Sequence, residues 1–121
     1  MRSRLFASLL SLAFALLAPA AHANTPFQGL WCGNGLLKDY SLHLSPGGQG
    51  GEIAAVLARK GRKREIQGHV DDGLLRSQAT KYGSLVLSAI ANELRIVDGE
   101  GTAAILRGFS FRRAGEQGCG A

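Results

Sequence analysis

The stretch FQGLWCG, residues 27–33, places the only tryptophan of the chain, Trp31, next to Cys32, one of its two cysteines. A glycine lies close to this pair on either side, so backbone and ring can pack closely. A short apolar run bounded by glycine is typical of a strand. We therefore expect the fold to begin with a strand at this stretch. That strand needs a partner strand on both edges unless it lies at the edge of a sheet.

The first 23 residues have the pattern of a secretory signal peptide. Arg2 and Arg4 precede the apolar run 5–18, and the small residues around His22 suit a cleavage site after Ala23. The apolar run is shorter than the roughly 20 residues that a helix needs to span a bilayer. We predict cleavage after Ala23 and export to the periplasm or the extracellular space.

Removal of residues 1–23 from the 121-residue chain leaves 98 residues, 24–121, which suit one small domain with a single core. The formal net charge falls from +5 to +3, because Arg2 and Arg4 leave with the signal peptide. A mild positive charge bears on solubility and association rather than on fold. Neither a linker nor an internal repeat divides this part of the sequence.

Short apolar runs separated by glycine-rich turns predict an all-β fold. All 17 glycines follow residue 23, a density that helices tolerate poorly. Eight runs at near-regular spacing predict a small antiparallel meander, in a sandwich or a closed or nearly closed barrel. The predicted strands are Gln28–Gly33, Tyr40–Ser45, Glu52–Arg59, Arg64–Val70, Leu74–Thr80, Ser84–Ile90, Glu93–Val97 and Ala103–Arg112.

Closure of the meander would join its two ends. Eight strands in sequence leave two unpaired edges unless the first strand meets the last. Trp31 would then plug one end of the barrel, and Cys32 and Cys119 would come close enough for a disulfide in an oxidising compartment. A redox or metal role is less favoured, because the two cysteines are far apart and lack both CxxC spacing and a nearby histidine pair.

Gly29-Leu30-Trp31 is a G-x-W motif, and with it the chain resembles the lipocalin-like or calycin β-barrels. In that family a basic residue after the last strand packs over the tryptophan ring, and Arg112 or Arg113 occupies the matching place. The resemblance implies a cation-π contact at the barrel end, worth roughly 0.5 to 2 kcal/mol. It also implies a ligand-binding role. Small secreted inhibitors of proteases and lysozymes likewise use compact eight-stranded barrels.

Catalytic and metal-binding patterns find little support in the sequence. No nucleophile elbow, phosphate loop or zinc-binding histidine pair is present, so we expect no enzyme, metal or cofactor. His43 and His69 alternate with polar residues, which indicates solvated strand positions. Asp71-Asp72 precedes a glycine, an ordinary turn sequence, although a paired-carboxylate site is an alternative.

The segment ARKGRKRE, residues 58–65, concentrates five basic side chains around Gly61. We expect a hairpin tip whose side chains splay into water. The charges either discourage edge-to-edge aggregation or make a weak contact with an anionic surface such as lipid headgroups. Nucleic acid is not expected, because no aromatic residues are interleaved as a stacking platform. The basic residues are Arg59, Lys60, Arg62, Lys63 and Arg64.

Two functions from different classes remain open at this point. One is an exported binding module that holds a small apolar or amphiphilic ligand in the barrel mouth, although the many alanines and glycines on the strands favour a narrow interior. The other is an exported protein-interaction module, such as a hydrolase inhibitor, that acts on an envelope or secreted protein through the loops 33–39 or 45–51. The sequence leaves the ligand, the partner and the oligomeric state open.

Overall fold

The computed structural model describes residues 26–119, which form a closed barrel of eight antiparallel strands in chain order. This confirms the predicted fold class. The predicted signal peptide, 1–23, lies outside the described residues. The strands are β1 (Gly29–Gly33), β2 (Tyr40–Pro46), β3 (Glu52–Arg59), β4 (Arg62–Asp71), β5 (Leu74–Ser77), β6 (Ser84–Ile90), β7 (Glu93–Glu100) and β8 (Ser110–Arg113).

The opening stretch of the sequence is the seam at which the barrel closes. Strand β1 pairs with β2 on one edge and with β8 on the other, so Trp31 lies opposite both Leu42 and Arg113. The backbone N–H of Ala114 donates to the carbonyl oxygen of Leu30 at 2.9 Å and continues this ladder past β8. Closure leaves neither β1 nor β8 as a free sheet edge, so no further strand can pair with either of them at this seam.

Alternation along each strand directs one set of side chains into the barrel and the other set outwards. The inward set forms the core, and Phe27 and Leu37 join it from the segments beside β1 and β2. Burying an aliphatic or aromatic side chain contributes roughly 1.5–3 kcal/mol, so this core is the main stabilising element. Its strand residues are Trp31, Leu42, Leu44, Ile53, Leu75, Leu87, Leu94, Ile96 and Phe111.

The prediction of one long last strand over Ala103–Arg112 is wrong. Gly101–Leu106 form a 3-10 helix, and β8 begins only at Ser110. The helix packs on the end of β7. The N–H of Ala103 also donates a hydrogen bond at 2.8 Å to the carbonyl oxygen of Tyr82, in the turn between β5 and β6. Ile105 is 78% exposed, so its apolar side chain does not belong to a strand facing the core.

Two further strand ends differ from the predicted ones and shape one end of the barrel. Strand β4 begins at Arg62 rather than Arg64, and β5 ends at Ser77 rather than Thr80. Consequently β4 pairs with β3 over eight residues but with β5 over only four. Within residues 26–119, no strand pairs with residues 62–66 on the edge that faces away from β3, so the barrel wall is open there.

Among the helical segments of residues 26–119, none has the length and hydrophobicity of a transmembrane helix.

Candidate functional site

The barrel interior is not completely filled by its own side chains. A cavity of about 210 Å³ lies between the inner faces of the strands and the first 3-10 helix, Gly35–Leu37. Its wall is mostly aliphatic, and Phe111 and Tyr40 are its aromatic residues. The aliphatic lining includes Leu42, Leu44, Ile53, Leu57, Ile66, Leu75, Leu85, Leu87, Ile96 and Leu106.

Three residues with polar side chains, Tyr40, Gln67 and Ser77, also line the cavity. The Ser77 hydroxyl oxygen accepts a hydrogen bond from the backbone N–H of Leu85 at 2.8 Å. This bond bridges β5 and β6 where their backbone pairing has stopped. The same hydroxyl can also donate one hydrogen bond of its own.

Trp31 and Arg113 close the opposite end of the barrel. Trp31 is completely buried, and its indole N–H donates to the carbonyl oxygen of Phe27 at 2.8 Å. The Arg113 guanidinium lies 4.2 Å from the centre of the Trp31 ring. It also donates to the carbonyl oxygens of Gln28 at 2.8 Å and Pro26 at 3.0 Å. One arginine therefore covers the tryptophan and ties down the chain that precedes β1.

Gly29 is required for this arrangement. Its φ of +123° is unfavourable for any residue with a side chain, and a Cβ there would lie 2.8 Å from a guanidinium nitrogen of Arg113. The G-x-W pattern thus has a physical basis in this chain, since the glycine makes room for the arginine that covers the tryptophan. Arg112 points to the other side, where it donates to the carbonyl oxygen of Gly33 at 3.3 Å.

The Cys32–Cys119 disulfide is present, with a Cα–Cα distance of 5.3 Å. Cys32 lies on the outer face of β1 and is nevertheless buried. The disulfide joins the segment after β8 to the outside of β1, so it reinforces the seam and contributes nothing to the cavity wall.

The five basic residues lie at the open end, in the hairpin between β3 and β4. Lys60 and Gly61 both have positive φ, as a two-residue type I′ hairpin turn requires. Arg59 lies opposite Arg62, and Leu57 lies opposite Arg64. Because Leu57 faces the cavity, alternation places Arg59, Arg62 and Arg64 on the inner face as well. We call these three residues the rim arginines.

A cleft at this end adjoins the apolar cavity. Tyr40 and Leu57 line both of them, and the rim arginines, Lys63 and Tyr82 complete the cleft. Lys60 lies outside its lining. All five basic residues are exposed at the hairpin tip, as predicted, and the three rim arginines additionally share the strand face of Leu57.

Tyrosine rings lie beside two of the three rim arginines. The Arg59 guanidinium lies 5.3 Å from the centre of the Tyr40 ring, and the Arg64 guanidinium lies 5.1 Å from that of Tyr82. The amino group of Lys81 is also 5.1 Å from the Tyr82 ring. The Arg64 guanidinium, and after it the Lys81 ammonium, lower the pKa of the Tyr82 phenol because they can donate hydrogen bonds to the phenolate.

The two tyrosines were not identified from the sequence as part of this site. Tyr40 comes from β2, and Tyr82 comes from the turn between β5 and β6, where its N–H donates to the Thr80 hydroxyl at 3.2 Å. Neither is interleaved with the basic segment, so only the fold brings them to it. The basic segment has no interleaved aromatic residue, and its two aromatic neighbours are supplied by other elements of the fold.

The histidines lie away from the cavity. His43 on β2 and His69 on β4 are both exposed, and neither lines the cavity or the cleft. Asp71 and Asp72 are exposed at the β4–β5 turn, at the end opposite the cleft. Within residues 26–119, no three side chains of histidine, cysteine, aspartate and glutamate converge as a metal-binding cluster.

Comparison with models of known protein families, with curated proteins and with solved structures gives no match for this chain.

Proposed function

We propose that this protein is an exported binding module whose barrel cavity holds a small apolar group or the end of an aliphatic chain. The observation that supports the proposal is the aliphatic cavity of about 210 Å³. An apolar cavity of about 150 Å³ already admits benzene, whereas pockets for drug-sized ligands begin at about 300 Å³. The volume therefore suits a single ring or a short alkyl segment and is too small for a large ligand.

The lipocalin-like resemblance supports the same role and belongs to this proposal. The Trp31–Arg113 contact closes one end of the barrel, and the cavity approaches the other end through Leu57 and Tyr40. A ligand would enter from that open end. Export would follow from the signal-peptide pattern, and the Cys32–Cys119 disulfide is compatible with an oxidising compartment.

A substitution inside the cavity tests the proposal directly. Ala55 lies on the inner face of β3 and lines the cavity, whereas Ala58 lies on the outer face of the same strand. Ala55→Leu adds an isopropyl group to the cavity, and Ala58→Leu adds the same group outside it. The neutral apolar dye 4-(dimethylamino)benzonitrile, which has a single ring, reports binding through its fluorescence.

We expect the dye to bind the wild type and the Ala58→Leu variant with similar affinity and to bind the Ala55→Leu variant at least tenfold more weakly. Native mass spectrometry of the exported protein checks for a ligand that it already carries. Absence of dye binding to the delipidated wild type would refute the proposal, as would equal binding by the two leucine variants. Circular dichroism and the melting temperature establish that all three proteins are folded.

A further inference from the structure

The rim arginines place three positive charges on the inner face of the hairpin formed by β3 and β4. Arg59 and Arg62 lie directly opposite each other, and Arg64 follows on the same face. Like charges that are directly opposite on neighbouring strands destabilise a sheet. The described ion pairs of residues 26–119, Arg95–Glu93 and Arg107–Asp98, both involve other elements. Within the described part of the chain, no carboxylate within salt-bridge distance offsets the repulsion at the rim.

The position of the rim arginines relative to the cavity indicates which kind of ligand would offset the repulsion among them. Leu57 and Ile66 line the apolar cavity, and Arg59 and Arg64 are the next inward residues on their strands. Tyr40 and Leu57 line both the cavity and the basic cleft. A molecule with one apolar end and one anionic end could therefore place its apolar end in the cavity and its anionic end beside the rim arginines.

We propose that the rim arginines bind the anionic head, a carboxylate or a phosphate monoester, of a single-chain amphiphile whose apolar end occupies the cavity. This inference rests on the proposed binding function and adds the class of ligand to it. Guanidinium groups form paired hydrogen bonds with carboxylate and phosphate oxygens. The tyrosine rings beside Arg59 and Arg64 limit the freedom of those side chains before the ligand arrives.

The geometry favours this ligand over a flat anionic membrane as the partner of the rim arginines. The three side chains share the inward face of the hairpin, whereas Lys60 is at the exposed turn. A membrane contact would depend on the outward and terminal charges of the hairpin at least as much as on the inward ones, because the attraction acts on each basic residue near the surface.

Head-group selectivity is measured by displacement of the single-ring dye 4-(dimethylamino)benzonitrile with three ligands of equal chain length: decanoate, decanol and decyltrimethylammonium. We expect decanoate to bind at least about tenfold more tightly than decanol, which corresponds to about 1.4 kcal/mol, and decyltrimethylammonium to bind most weakly. The preference for decanoate should shrink as salt is added, because the cleft is open to water. Sodium phosphate without an alkyl chain should not displace the dye.

Two triple variants with the same loss of charge separate the rim from general electrostatics. Replacing Arg59, Arg62 and Arg64 by glutamine should abolish the preference for decanoate over decanol and leave dye and decanol binding unchanged. Replacing Lys38, Lys60 and Arg76 by glutamine removes three positive charges outside the cleft and should preserve most of the preference.

Equal affinity of the wild type for decanoate and decanol would overturn the head-group inference while the cavity proposal stands. Failure of the dye to bind at all would overturn both. A third outcome would assign the rim to membrane contact instead. In that case anionic vesicles would cosediment with the wild type but not with the rim variant, while decanoate and decanol bound equally well.

Discussion

Loss of the Cys32–Cys119 disulfide should lower stability strongly without changing the fold. The two cysteines are separated by 87 positions in the chain, so the bridge closes almost the entire described domain into one loop. The chain-entropy relation gives about 4.6 kcal/mol for such a loop, and natural disulfides commonly contribute about 2–4 kcal/mol. For a domain of this size each kcal/mol changes the melting temperature by about 4–8 °C. We therefore expect the melting temperature to fall by at least about 8 °C.

Alanine is a better replacement than serine at Cys32, and we use it at both positions. Cys32 is only 3% exposed, and a serine hydroxyl there would be buried at a cost in free energy unless it found a hydrogen-bonding partner. Thermal unfolding is followed by circular dichroism for the wild type, the reduced wild type and the Cys32→Ala/Cys119→Ala variant. The strand signal at low temperature should be the same in all three, because the β1–β8 hydrogen bonds and the core do not depend on the bridge.

The double alanine variant also serves as the control for the reductant. Its melting temperature should not respond to reducing agent, whereas that of the wild type should fall to a similar value. Free-thiol titration of the exported, non-reduced protein provides the decisive negative result. Two reactive thiols in the folded wild type, or a reduced protein that melts at the same temperature as the oxidised one, would refute the argument.

Three further predictions concern the two ends of the barrel. Arg113→Met should destabilise the protein by about 2 kcal/mol in urea unfolding, because it removes the contact with Trp31 and two hydrogen bonds to backbone carbonyls; an unchanged unfolding midpoint would contradict this. Arg62→Thr should instead stabilise the unliganded protein by about 0.2–1 kcal/mol, because it removes one of two directly opposed like charges, and a lower midpoint would count against the repulsion argument. Arg64→Gln should raise the pKa of the Tyr82 phenol, measured from phenolate absorbance, because the guanidinium that stabilises the phenolate is lost; identical titration curves for the two proteins would contradict the assignment. Since a lowered phenol pKa favours the folded state only once the phenol begins to ionise, Arg64→Gln should not change stability through this titration near neutral pH.

Glycine spacing and apolar runs are sufficient by themselves to determine the fold class. Seven of the eight predicted strands coincide with observed strands to within three residues at either end, because turn residues and alternating side chains are local signals. The eighth prediction extended too far, since Ile105 is as apolar as a core residue but lies on the exposed side of a 3-10 helix. The hydrophobicity of a residue does not by itself predict whether its side chain faces the core or the solvent.

The closed end of the barrel could also be predicted from the sequence, because the residues that form it occur in recognisable patterns. Trp31 follows Gly29 in a short motif, and the two cysteines leave only one intramolecular pairing. The choice between Arg112 and Arg113 required the structure. The register of β1 with β8 pairs Trp31 with Arg113 and Cys32 with Arg112. Because side chains alternate along β8, Arg113 lies on the face of the tryptophan and Arg112 lies on the opposite face.

The open end was decided by tertiary structure alone. The sequence identified a basic hairpin but could not show that Arg59, Arg62 and Arg64 share the face of Leu57, since that depends on where the turn is placed and therefore on the pairing register. The cavity likewise depends on how side chains from all eight strands meet across the barrel. Strand pairing between distant segments brings Tyr40 of β2 beside Arg59, and Tyr82 of the β5–β6 turn beside Arg64. No local pattern in the sequence predicts these contacts.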